Sequence, residues 1–253
     1  MKVEFLCTTD YPTDTLEHHK QIADKKISPR TYPTFRPDKV YAVEDSASYS
    51  QFLNSLSAVT KMEIKTYDDF IAALENRVNY FHESGCRLAD HGLEQLYYFG
   101  TTDSTCDTIF SKVKSAKVLS HEEIQVFKYN TLLLLCRMYH KRGWVQQFHL
   151  GSIRNNNTRL LNELGPDTGF DSIGDFSQAR GLSSFLNYLD STDQLTKTIL
   201  YNLNPADNEV FATMAGNFND GTVRGKVQYG SAWWFLDQKE GMEKQLNTLS
   251  NMG

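Results

Sequence analysis

Short apolar or β-branched runs alternate along this chain with longer stretches of helical period, and that alternation restricts the fold more than any other feature. It is the mark of βαβ units and hence of a parallel sheet covered by helices. The strand candidates are Val3–Thr9, Thr31–Phe35, Cys86–Ala89, Val145–Leu150, Thr198–Leu203 and Val227–Trp234. Helix starts are written between them. Thr66 with Asp69 precedes Phe70, Leu74, Val78 and Phe81 at helical spacing, and Ser120 with Glu123 precedes Ile124, Phe127 and the leucines 132–135. Both pairs have the spacing of a capping box. Asn204-Pro205 predicts an N-cap followed by proline in the first turn, and Asp237 with Glu240 predicts a last helix ending at Gly253. Gly165–Gly169 and Asn217–Gly221 are expected loops. No repeat or Pro/Gly/Ser-rich linker divides the chain, so residues 1–253 are expected to form a single domain.

Six βα units suit either an open doubly wound sheet or six consecutive units of an eight-unit barrel. Periodicity does not separate the two. In both, ligands meet the carboxyl ends of the strands, so the residues there carry the functional information. These ends are polar and aromatic: Thr8-Thr9-Asp10, Arg36-Pro-Asp38, Asp90-His91, His149 with Arg154 just beyond, Asn202 with Asn204, and Trp233-Trp234.

Each group has a plain reading beside the functional one. Asp90 either caps a following helix, works as acid or base, or holds a neighbouring imidazole. His149 is either a hydrogen-bonded core histidine or a ligand. Arg36 and Arg154 could clamp a carboxylate with the guanidinium fork, or form ordinary surface ion pairs. Trp233 and Trp234 could pack the core or wall a sugar site. His18 and His19 are adjacent and so diverge on a helix, which disfavours a shared metal.

Other function classes are disfavoured. A net charge of −5, from 26 basic and 31 acidic residues, argues against nucleic acid as a partner. No apolar run approaches the roughly 20 residues of a membrane helix. The N-terminus lacks a signal peptide's apolar segment. The four cysteines, 7, 86, 106 and 136, form no Cys-x-x-Cys pair, as expected of reduced thiols in a cytoplasmic protein. Phosphate loops, nucleophile elbows and dinucleotide fingerprints are absent from the sequence.

The strings themselves carry a resemblance. Cys7-Thr-Thr-Asp10 with Asp14-Thr-Leu-Glu-His-His19, Phe35-Arg-Pro-Asp-Lys39, Asp90-His91, and Gly143-Trp-Val-Gln-Gln-Phe-His-Leu-Gly151 running into Arg154-Asn-Asn-Asn157 resemble the uronate isomerase (glucuronate isomerase) family. So do Gly165-Pro-Asp-x-Gly-Phe-Asp-Ser172, Leu203-Asn-Pro-x-Asp-Asn-Glu-Val210 and Trp233-Trp-Phe-x-Asp-Gln-Lys-Glu-Gly-Met242. The resemblance covers essentially the whole chain. It implies an α/β fold, a TIM-type (β/α)8 barrel of the amidohydrolase kind, of which this chain holds strands two to seven.

It also implies an aldose–ketose isomerase that interconverts D-glucuronate with D-fructuronate and D-galacturonate with D-tagaturonate. By carry-over, Asp90 and His149 are catalytic, Arg36, Arg154, Trp233 and Trp234 bind substrate, and His149 touches a divalent metal, expected to be zinc. The family's first-strand His-x-His and eighth-strand Asp-x-Arg are not in these residues, so the chain is expected to be an inactive internal portion of the enzyme. The alternatives are a non-catalytic fragment and a metal hydrolase on the same barrel. Uronate sugar acids are the implied partners, with a homo-oligomer compatible.

Overall fold

The computed structural model describes residues 2–97 and 103–252, so the helix stop expected at Gly253 lies outside the described residues. Among the described residues, strands β1 (Phe5–Asp10), β2 (Arg30–Phe35), β3 (Leu88–Leu93), β4 (Val145–Leu150), β7 (Thr198–Asn202) and β8 (Val227–Tyr229) join one sheet in that order. β1 with β2, β2 with β3, and β7 with β8 pair in parallel, as βα units require. The expected α/β architecture is therefore present.

The chain divides into two compact units. The first comprises the described residues of Met1–His91, Tyr98–Gln146 and Asp193–Thr196; the second comprises those of Gly92–Tyr97, Gln147–Thr192 and Lys197–Gly253. In the first unit, β1 to β3 alternate with α1 (Glu17–Asp24), α2 (Ser46–Thr60) and α3 (Tyr67–Glu83), followed by α4 (Asp103–Lys114) and α5 (His121–Lys141). Its core is aromatic. Phe35 meets Phe81 edge-on at 5.0 Å between ring centres, and Tyr139 stacks on Trp144 at 5.6 Å. Further out, Phe70, Phe110 and Phe127 stack with one another.

Both capping boxes are formed. Asp69 N donates to Thr66 Oγ1 at 3.1 Å while Thr66 N donates to the Asp69 carboxylate at 2.9 Å, and Ser120 and Glu123 repeat the arrangement for α5. Thr66→Ala removes one acceptor from the α3 N-terminus and is expected to lower stability by about 1 kcal/mol. Urea unfolding with an unchanged midpoint would show that the cap contributes nothing.

In the second unit, an antiparallel pair of short strands, β5 (Ser152–Ile153) and β6 (Ser172–Ile173), brackets α6 (Thr158–Leu164). α7 (Gln178–Ser191), α8 (Asn208–Gly216) and α9 (Lys239–Ser250) follow. α7 lies so close to the segment after β3 that a Cβ at Gly181 would come within 1.9 Å of the Leu96 carbonyl oxygen.

Three expectations need correction. The strand expected over Val227–Trp234 ends at Tyr229. Gly230 next to it packs against Tyr201 and Ile199, and Trp234 takes a left-handed φ of 53° on entering a 3-10 turn. The aromatic run reads as strand by propensity, but its backbone has left the sheet. Likewise β3 runs later than Cys86–Ala89, which places Asp90 and His91 inside the strand and rules out Asp90 as a helix cap. Finally, Gln238, not Asp237, caps α9, its side chain accepting from Gly241 N.

Candidate functional site

β2 delivers Arg36 directly after Phe35, and Arg36 N donates to Asp10 O at 2.8 Å, which extends the β1–β2 register by one residue. The guanidinium is held from two sides. Nε donates to Asp38 at 2.8 Å and Nη1 to Asp90 at 3.0 Å. Burial works against the charged form, but Asp38 and Asp90 outweigh it and hold the Arg36 pKa above its ordinary value. Nη2 has no partner among the described residues, and the side chain is 31% exposed, so that nitrogen stays available to a ligand. Asp38 is fixed in turn by the Tyr41 hydroxyl at 3.0 Å, a phenol that burial and the adjacent carboxylate push well above its usual range.

Asp90 is buried beneath this pair. The neighbouring His91 is fully buried, with Nε2 3.3 Å from the Tyr139 hydroxyl. On β1, Thr8 donates to Asp10 at 2.6 Å and its oxygen lies 2.7 Å from His19 Nε2. His18 is solvent-exposed instead, so the two adjacent histidines diverge as expected. Arg36 and Asp90, chosen separately from the sequence, are thus in direct contact in the first unit.

The second unit holds the other sequence-selected residues. β4 alternates strictly, with Phe148 and Leu150 buried while Gln147 and His149 point to the other face. His149 lies flat on Tyr201 of the neighbouring strand β7, with 4.3 Å between ring centres and 8° between planes. Trp233 tilts against the same imidazole at 4.6 Å. Tyr201 is fixed by its hydroxyl, which donates to Gln147 at 3.1 Å. Gly230 makes this possible, since a Cβ there would come within 2.5 Å of the Tyr201 ring. Trp233 packs on Trp234, and the Arg154 guanidinium sits 5.1 Å from the Trp234 ring centre. Arg154 is also paired with Asp167 and, at 3.4 Å, with Asp171. Asn202, which ends β7, accepts from Asn204 N at 3.0 Å and donates to the Asn208 side chain at 2.9 Å, and Asn204 caps the next turn.

Tyr201 was not among the expected site residues. The signal for it was the period-2 pattern of Thr198–Asn202, whose buried positions are 198, 200 and 202, leaving Ile199 and Tyr201 on the opposite face. An imidazole stacked on Tyr201 and met at a tilt by Trp233, whose neighbour Trp234 carries the Arg154 guanidinium, forms an aromatic surface with a cation at its side. A metal does not fit these residues by themselves. Among the described residues no three His, Cys, Asp or Glu side chains converge to hold an ion, whereas protein metal sites draw on three or more ligands.

The chain spans about half the length of the curated relatives it matches. The uronate isomerase of Flavobacterium johnsoniae is 54% identical over 253 residues, covering 100% of this chain and 54% of the relative. That of Bacteroides thetaiotaomicron is 53% identical, covering 99% and 54%. Among solved structures, uronate isomerase from Thermotoga maritima superposes with a TM-score of 0.92 at 31% identity, over 99% of this chain and 54% of that one. Glucuronate isomerase from Caulobacter crescentus gives a TM-score of 0.88 at 25% identity, over 98% and 50%. The family model described as glucuronate isomerase matches residues 1–253. A match over the whole length, together with solved relatives of the same fold, establishes that this chain belongs to the glucuronate isomerase family.

Proposed function

We propose that this chain forms strands two to seven of a uronate isomerase, as a single partial barrel over residues 1–253, and that it handles D-glucuronate and D-galacturonate as their aldose–ketose pairs. The observation that carries this reading is Arg36, a half-buried cation held rigid by Asp38 and Asp90 with Nη2 unengaged among the described residues. An immobilised guanidinium beside a carboxylate suits the oxygens on which charge develops during aldose–ketose isomerisation.

Aldose–ketose isomerisation takes a proton from C2 and returns it at C1 through an enediol. Asp90 is the carboxylate of this chain assigned to move that proton, and it accepts from Arg36 at 3.0 Å. In the second unit, His149 and Trp233, with Trp234 beside Trp233, offer an aromatic surface suited to a sugar ring, and Tyr201 fixes the imidazole plane. A divalent cation, zinc by family resemblance, would supply polarisation of the substrate oxygens. His149 is the contribution this chain could make to it, with the remaining ligands drawn from elsewhere in the longer enzyme.

Uronates are the small-molecule partners in this reading, with no role for nucleic acid or membrane, and the location is cytoplasmic. No helix among the described residues is long and apolar enough to cross a membrane. β1 ends the described sheet with Phe5 and Leu6 exposed, which favours pairing with a further strand or a second copy.

A chimera tests the reading, with this chain replacing the matching segment of the Flavobacterium johnsoniae enzyme. Within it, Arg36→Lys keeps the charge and loses the fork. The KM for D-glucuronate is expected to rise about tenfold or more, the scale of one lost charge-assisted hydrogen bond. An unchanged KM would remove Arg36 from substrate contact.

A further inference from the structure

After β4 the chain leaves the sheet for an excursion closed at its base by Gly174 N donating to Gly151 O at 2.8 Å and by the β5–β6 pair. Arg154 lies inside it, and two carboxylates share its guanidinium. They are not equivalent. The Asp171 side chain is 7% exposed, and its second oxygen accepts Asn155 N at 2.9 Å, so it is built into the loop. Asp167 is 73% exposed, sits in the turn Gly165–Gly169 with a left-handed φ of 61°, and has no other partner among the described residues.

Charge decides what such an arrangement can accept. One guanidinium with two carboxylates carries a net charge of −1, and a third carboxylate added to it is repelled. A carboxylate that replaces Asp167 leaves the charge unchanged and inherits a donor already aimed by Asp171 and seated on Trp234. A neutral hydroxyl in the same place would forfeit a charge-assisted bond without replacing it.

We propose that Asp167 is a built-in competitor for the ligand's carboxylate. It occupies Arg154 when the site is empty, leaves when a sugar acid binds, and excludes neutral sugars. Asp167 is then a specificity-determining residue. The identity of the ligand rests on the uronate reading above, whereas the exchange itself rests on the geometry of Arg154.

The sign of the expected effect is unusual, because removing a charged residue beside the site should tighten binding. The test follows tryptophan fluorescence of the 253-residue chain during titration with D-glucuronate, malonate and D-glucose, since Arg154 lies against Trp234. Asp167→Asn is expected to lower the Kd for D-glucuronate and malonate about fivefold, the scale of one exposed ion pair, with no saturable response to D-glucose. Asp171→Asn is expected to weaken both, because it frees Arg154 from its support. An unchanged or raised Kd for both carboxylates in Asp167→Asn, or no saturable response to any carboxylate, overturns the proposal. Tightening for malonate alone leaves the exchange standing and removes the uronate reading.

Discussion

Phe35→Ala is expected to destabilise the chain by about 3–5 kcal/mol, the range for emptying a fully buried aromatic site. Phe35 has no exposed surface. Its ring meets Phe81 at 5.0 Å, Trp144 at 6.1 Å and Tyr139 at 6.2 Å, so three elements lose a shared contact at once. Tyr139 and Trp144 stack on each other and cannot both turn into the space left behind. For a domain whose net stability is about 5–15 kcal/mol, that loss is a large share. Phe35→Leu fills most of the volume and is expected to cost well under half as much. Urea unfolding of the two variants measures this. A Phe35→Ala loss below about 1 kcal/mol would mean the aromatic cluster is not the core of the first unit. The consequence reaches the site, because Phe35 pairs in register with Asp10 and with Ala89, and Arg36 and Asp90 are the next residues along.

The helix starts were legible in the sequence because a capping box is local, with Thr66 and Asp69 three residues apart and each other's partner. Val145–Leu150 was legible to the residue as a short run with apolar Val145, Phe148 and Leu150 following a helical stretch, although its burial alternation places Gln146 inside. The errors arise where tertiary contacts override local preference. Trp233 and Trp234 have strand propensity, yet the close approach of Gly230 to Tyr201 ends β8 before them. α7 depends on Gly181 lying against a backbone carbonyl far away in sequence, a contact that a helical pattern does not reveal.

Site residues follow the same division. Arg36 and Asp90 were selected separately as strand-end residues, and the fold joins them across 54 positions. The candidates were strand-end residues, and Tyr201 lies inside the strand expected over Thr198–Leu203. Its stacking on His149 becomes visible only when β4 and β7 lie side by side. The role of Asp167 depends on a contact across 13 residues and on its exposure relative to Asp171, neither of which is written in the motif. The thiols needed no such context. No disulfide links the four cysteines, and burial pushes the Cys86 thiol up to about 12, which keeps it neutral.

The largest effect on activity is expected at Asp90, a buried carboxylate with Arg36 as its charge partner and a position on β3 that continues the line of Arg36. Asn keeps its shape and one acceptor oxygen but cannot take a proton. General acid–base groups contribute about 10²- to 10⁴-fold to rate, and Asp90→Asn removes that capacity while leaving Arg36 a hydrogen-bond partner. The most direct test of the account is kcat for D-glucuronate isomerisation in the chimera with the Flavobacterium johnsoniae enzyme, with and without Asp90→Asn. The account predicts turnover within about tenfold of the parent enzyme, given 54% identity across the exchanged segment, and a fall of at least about 10²-fold in Asp90→Asn at unchanged thermal stability. A folded chimera that does not isomerise uronates, or one in which Asp90→Asn turns over at the unsubstituted rate, would contradict it.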